Sequence, residues 1–94
     1  MKYNFKITPA AFADIQNGID YYNEKQKGLG KRFADVIKST FNRIRIMQQS
    51  VSIAYNDVRY KVIDKFPYII LFRVEQKNII ILRVFNTHQK PLDR

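Results

Sequence analysis

The chain opens on an alternation. Tyr3, Phe5 and Ile7 fall on one side and Lys2, Asn4 and Lys6 on the other, which predicts a short strand with one buried face. Thr8-Pro9 ends it. Thr8 suits a helix N-cap, and Pro9 suits the first helical position, where a missing N–H costs nothing. A helix is predicted from there to about Glu24, with Phe12, Ile15, Ile19 and Tyr22 in one apolar stripe. Lys27-Gly28-Leu29-Gly30 breaks the pattern, since a glycine can take the left-handed conformation that closes a helix. A second helix is predicted from near Gly30 to about Gln49, its stripe being Phe33, Val36, Ile37, Phe41 (or Thr40), Ile44 and Met47. So short a link makes the two helices antiparallel neighbours.

The second half reads as strands. Residues 50–57 are rich in Ser, Asn and Asp and are expected to form a connector. Val58–Phe66 is predicted as a strand with Val58, Tyr60 and Val62 on one face and Arg59, Lys61, Ile63 and Lys65 on the other, until Phe66-Pro67 interrupts the ladder. Tyr68–Glu75 and Ile79–Asn86 are predicted as two long strands of a hairpin. A three-residue loop, Gln76-Lys77-Asn78 with Asn78 left-handed, would bring Ile70, Phe72 and Val74 onto one face with Ile80, Leu82 and Val84. Phe72 would oppose Leu82, and Arg73 would oppose Ile81. Arg73 and Arg83 would then be diagonal neighbours about 7–8 Å apart, able to converge on one phosphate or carboxylate. They would share their face with Ile69, Leu71, Ile79, Ile81 and Phe85, a surface that calls for a cover. The expected fold is α+β in one domain over residues 1–94: an N-terminal strand, an antiparallel two-helix hairpin, then a three-stranded antiparallel sheet (β-α-α-β-β-β).

Composition narrows the chemistry. The chain has 94 residues, with seven Phe and six Tyr for a thin but real core. It has no cysteine, which excludes disulfide and thiolate chemistry, and a lone histidine, His88, which argues against a metal site. No cofactor is expected. With neither a signal-peptide pattern nor an apolar run long enough to cross a membrane, a cytoplasmic protein is expected. Net charge is +9. It is uneven: residues 9–24 carry three acids and no base, whereas residues 58–94 carry eight bases and three acids. Such an excess favours an anionic partner.

Several local features resemble the RelE/ParE superfamily of type II toxin–antitoxin toxins, in its ParE-like, plasmid-stabilisation branch. They are the opening strand before Thr8-Pro9-Ala10; Tyr21-Tyr22 late in the first helix; Gly28-Leu29-Gly30 with Phe33; Arg59 on the next strand; Phe66-Pro67-Tyr68; and Val84-Phe85-Asn86-Thr87-His88-Gln89-Lys90-Pro91. The resemblance spans nearly the whole chain. It implies a toxin silenced by a cognate antitoxin, as a homodimer or within a toxin–antitoxin hetero-oligomer. ParE-type relatives poison DNA gyrase, whereas RelE-type relatives cleave messenger RNA on the ribosome. One fold hosts both activities.

Cleavage of RNA needs a base for the ribose 2′-hydroxyl, cations on the scissile phosphate and an acid for the leaving oxygen. The candidates for such catalysis are Arg59, Arg73, Arg83 and His88. RNA-cleaving relatives usually end in a tyrosine or histidine, whereas this chain ends Pro91-Leu92-Asp93-Arg94. The reading favoured by the sequence is therefore a gyrase-binding toxin. Its alternatives are a ribosome-dependent endoribonuclease and an inactive family member. Lys61, Lys65, Leu71, Ile81, Phe85 and Lys90 are expected to bind the partner.

Overall fold

The computed structural model describes residues 3–47 and 52–87. Strand β1 is Asn4–Ile7, helix α1 Pro9–Lys25 and helix α2 Leu29–Met47. Thr8 caps α1, its hydroxyl accepting from the Ala11 amide at 3.1 Å, with Pro9 opening the helix. Gly28 takes a φ of 87° in the link between the helices, a conformation costly for any residue with a Cβ. The helices then approach unusually closely. A Cβ at Gly18 would meet the Phe33 ring at 2.6 Å, and one at Gly30 would meet the Ile19 carbonyl oxygen at 2.5 Å. Both predicted stripes face inward, and the alternative at the middle of the second resolves into two roles. Thr40 is buried, its hydroxyl donating to the Val36 carbonyl at 2.7 Å, while Phe41 stacks on Phe5 with ring centroids 5.2 Å apart. Phe12 and Met47, at the outer ends of their stripes, depart from them and are exposed.

The sheet has five strands in the order β1-β5-β4-β3-β2, with β2 Ser52–Tyr55, β3 Val58–Val62, β4 Tyr68–Glu75 and β5 Asn78–Asn86. β1 runs parallel to β5, and the remaining pairs are antiparallel. The α+β architecture is the expected one. The connector 50–57 contributes an additional edge strand, β2. The helical hairpin covers one face of the sheet. Its core joins Ala11, Phe33, Ile37 and Ile44 to Ile63, Tyr68, Ile70, Phe72, Ile79, Ile81 and Val84. Rings of Tyr22, Phe33, Phe66 and Tyr68 form one aromatic cluster near the linked end of the helical hairpin.

The β4–β5 register differs from the sequence expectation. The loop is two residues, Gln76-Lys77, with Gln76 at φ 56°, and Asn78 already pairs with Glu75. Phe72 therefore opposes Ile81, and Arg73 opposes Ile80. Ile79 and Ile81, expected on the arginine face, are fully buried under the helices. The register then slips, with Leu71 opposite Arg83 and Ile70 opposite Val84, leaving Leu82 as an extra residue in a bulge. The bulge returns Val84 to the core, where it was expected. β3 also ends earlier than expected. Lys65 lies in the turn before β4 at φ 71°, and Asp64 pairs with Arg43 of α2 at 3.1 Å.

Candidate functional site

The face of the sheet turned away from the helices is the first candidate. Cross-strand pairing sets Tyr60 beside Leu71, Val62 beside Ile69, and Ile69 beside Phe85 on this outer face. Most of these side chains are half-buried, and Val62 is 57% exposed. Arg73 lies in the same face, paired across to Ile80, and Lys6 of β1 lies beyond Ile80. One step along the β3–β4 register, Val58 falls next to Arg73; it is buried yet stands apart from the core beneath the helices. An apolar face set with Arg73 thus exists, built from Tyr60, Val62, Ile69, Leu71, Ile80 and Phe85; of the members expected, Ile79 and Ile81 are in the core instead and Arg83 is bound to Asp14.

Arg73 holds Glu75, two residues along its own strand, through Nη2 at 2.9 Å. Its Nε is buried and has no hydrogen-bond partner. A buried donor left unmatched costs the protein its full desolvation penalty, so this atom is a place where an acceptor is missing.

Arg83 is turned elsewhere. Its Nε donates to Oδ2 of Asp14 on α1 at 2.7 Å, and its Nη2 to Oδ1 at 3.0 Å. The same carboxylate accepts the Val84 amide at 2.9 Å. The reason lies in the sheet edge. β1 stops at Ile7, opposite Ile81, and β5 continues past it. Over that overhang α1 and its cap replace a strand: the Thr8 amide donates to the Ile81 carbonyl at 3.1 Å, the Thr8 hydroxyl donates to the Leu82 carbonyl at 3.0 Å, and Asp14 takes the next free amide. The ion pair favours the charged guanidinium, raising the Arg83 pKa chiefly through the hydrogen bond to Asp14. Arg73 and Arg83, expected to converge on one anion, do not: each is engaged by a carboxylate of its own chain.

The other expected residues fall in different places. Arg59 pairs across to Phe72 and Lys61 to Ile70, on the helix-facing side of β3. Lys65 lines a separate groove of about 540 Å³ with Arg32, Asp35 and Phe66. Leu71 and Phe85 are on the outer face. Ile81 is not, because the two-residue loop turns it into the core. His88 and Lys90 lie outside the described residues. Sequence reasoning missed Asp14, which had shown only as one acid of an acidic helix, and saw only the capping half of the role of Thr8. No local signal marks either contact, since Asp14 and Arg83 are 69 positions apart.

A larger groove of about 710 Å³ runs along the β5 overhang, lined by Asn17, Tyr21, Lys25, Tyr68, Arg83 and Asn86 among others. Among the described residues no group of His, Cys, Asp and Glu could hold a metal ion, and no helix is long and apolar enough to cross a membrane.

Comparison with known proteins agrees with this architecture. No curated protein matches the chain. A solved structure titled "Chromosomal ParDE TA system from P. aeruginosa" superposes with a TM-score of 0.71 at 21% identity, covering 92% of this chain and 97% of the other. At that identity the likeness concerns the fold. The family model for the ParE toxin of type II toxin-antitoxin system, parDE, matches residues 5–91. With nearly the whole length matched, the chain belongs to the ParE toxin family of type II toxin–antitoxin systems.

Proposed function

We propose that this protein is a toxin that acts by binding DNA gyrase and is silenced by a cognate antitoxin. Membership of the ParE family supports the target, and the similar structure, titled as a ParDE system, supports the antitoxin. The observation that carries the choice of binding over catalysis is the commitment of the hairpin arginines. Phosphodiester cleavage asks for cations aimed at one phosphate and a base and acid on either side of it. Here Arg83 is held by Asp14 at the overhang of β5, and Arg73 by Glu75 in the outer face. Arg59 and Lys61 sit on the helix-facing side of the sheet. These cations do not face a common point. The outer face, apolar with a cation inside it, on a chain of net charge +9, suits an acidic amphipathic segment.

Expression of the chain alone tests the proposal. Growth should stop, resident plasmids should lose negative supercoils, and co-expression of the antitoxin encoded beside it should restore both. Normal growth at a confirmed level of soluble protein, or arrest with unchanged plasmid topology and cut messenger RNA, would refute it.

A further inference from the structure

We infer that Arg73 is the receptor for a carboxylate carried by the antitoxin segment that covers the outer face of the sheet. The inference rests on the antitoxin reading above and adds the site and chemistry of recognition. Three observations carry it. First, the Arg73 Nε is buried without an acceptor while the side chain as a whole is 35% exposed, so that a partner meets the guanidinium at its exposed edge and a turn of the side chain presents the Nε to it. Second, its neighbours are apolar: Leu71 on its own strand, Ile80 across to β5, and Val58 on the β3 side. A partner lying on them excludes water from the guanidinium. Stripping water from a cation is costly unless an anion replaces it. Glu75 fills that need only in part, since it is 53% exposed and takes Nη2 alone. Third, the same molecule displays the completed form of the contact. Arg83 offers Nε and Nη2 together to both oxygens of Asp14 at 2.7 and 3.0 Å. Arg73 has a spare donor of the same kind.

The acceptor is a protein carboxylate rather than a nucleic-acid phosphate. Glu75, beside the guanidinium, would repel a strand carrying a charge at each phosphate, whereas an amphipathic peptide can set one carboxylate there and cover the flanking apolar residues. The chain's +9 charge favours an acidic partner of that kind.

The test is a titration of the purified toxin with the antitoxin encoded beside it. The arms are the wild type, Arg73→Lys, and Arg73→Lys paired in turn with Asp→Asn or Glu→Gln at each acidic position of the antitoxin. Lysine keeps the charge but has no Nε–H and cannot bind two oxygens side by side. Arg73→Lys should weaken binding about 30-fold while thermal unfolding of the free toxin stays unchanged. One acidic position should account for that loss, being costly in the wild type and nearly neutral in the variant. Equal binding by wild type and Arg73→Lys overturns the inference and leaves the antitoxin reading intact, as does a loss that couples to no acidic position. Absence of binding by the wild type overturns both. Retention of a short RNA or DNA duplex by the wild type, abolished by Arg73→Lys with antitoxin binding unaltered, assigns the site to nucleic acid and refutes the carboxylate.

Discussion

The carboxylate of Asp14 and the guanidinium of Arg83 meet through two hydrogen bonds of 2.7 and 3.0 Å, and the same carboxylate takes the Val84 amide at 2.9 Å. One side chain of α1 thereby closes the edge of β5 where β1 has ended, and it fixes which way Arg83 faces.

Removing that carboxylate should therefore loosen the sheet edge. Asp14→Ala leaves the Val84 amide and Arg83 without their acceptor, and should cost about 2 kcal/mol, the range for hydrogen bonds to a charged group. The share owed to Arg83 is the smaller one, because its side chain is 40% exposed and its ion pair is screened. Asp14→Asn retains an oxygen for Val84 and should cost about half as much. Urea unfolding reads both, as a shift of midpoint at constant slope. A loss below about 0.5 kcal/mol for Asp14→Ala would mean that the edge is closed by something else.

The glycines at the helix crossing should be intolerant of a methyl group. Gly30→Ala would drive a Cβ into the Ile19 carbonyl, which is backbone and cannot yield, whereas Gly18→Ala presses on the Phe33 ring. Overpacking of this kind costs about 1–3 kcal/mol, with Gly30→Ala at the upper end. Differential scanning calorimetry should rank Gly30→Ala below Gly18→Ala, and both below the wild type. Equal melting temperatures would show that the helices are not packed this closely.

Arg73 should behave in the opposite way. Its unmatched Nε costs stability, and its ion pair with Glu75 is a surface pair worth about 0–1 kcal/mol. Arg73→Leu should leave stability unchanged or raise it, while antitoxin binding falls. A large drop in the melting temperature would mark Arg73 as a structural residue.

Much of this architecture is legible in the chain. Thr8-Pro9 starts α1, Gly28 ends the helical link, and the two stripes face inward, except at Phe12 and Met47, because 3.6-residue spacing leaves little choice. The hairpin register is not legible, for an identifiable reason. Ile79-Ile80-Ile81-Leu82 is apolar at every position, so alternation carries no phase, and a loop of two residues cannot be told from one of three. The bulge at Leu82 then realigns Val84 and hides the slip at one end. The apolar face around Arg73 was visible as composition, but its membership depended on that phase. The place of Arg83 was not visible, since it depends on where β1 stops and on an acid 69 positions away.

Alkaline pH offers a test of the aromatic cluster. Burial raises the Tyr22 phenol above the ordinary tyrosine value of 10.0, with Tyr68 and Tyr21 adding to it. Burial also raises Tyr68, against the opposing effect of its hydrogen bond with Asn86. The folded state therefore holds these protons more tightly than the unfolded chain. The stability they contribute is complete below about pH 10 and is lost as pH rises through the folded values. Urea midpoints should fall above about pH 10 together with the rise in phenolate absorbance, and Tyr22→Phe should flatten that fall. An unchanged slope in Tyr22→Phe would remove this tyrosine from the alkaline transition.

The most direct measurement adds purified protein to gyrase, relaxed plasmid and ATP in one tube, and to programmed ribosomes in another. A gyrase-binding toxin lowers supercoiling in proportion to its concentration, is reversed by the antitoxin, and leaves the messenger RNA intact. Undiminished supercoiling beside codon-positioned cleavage of the messenger would contradict it.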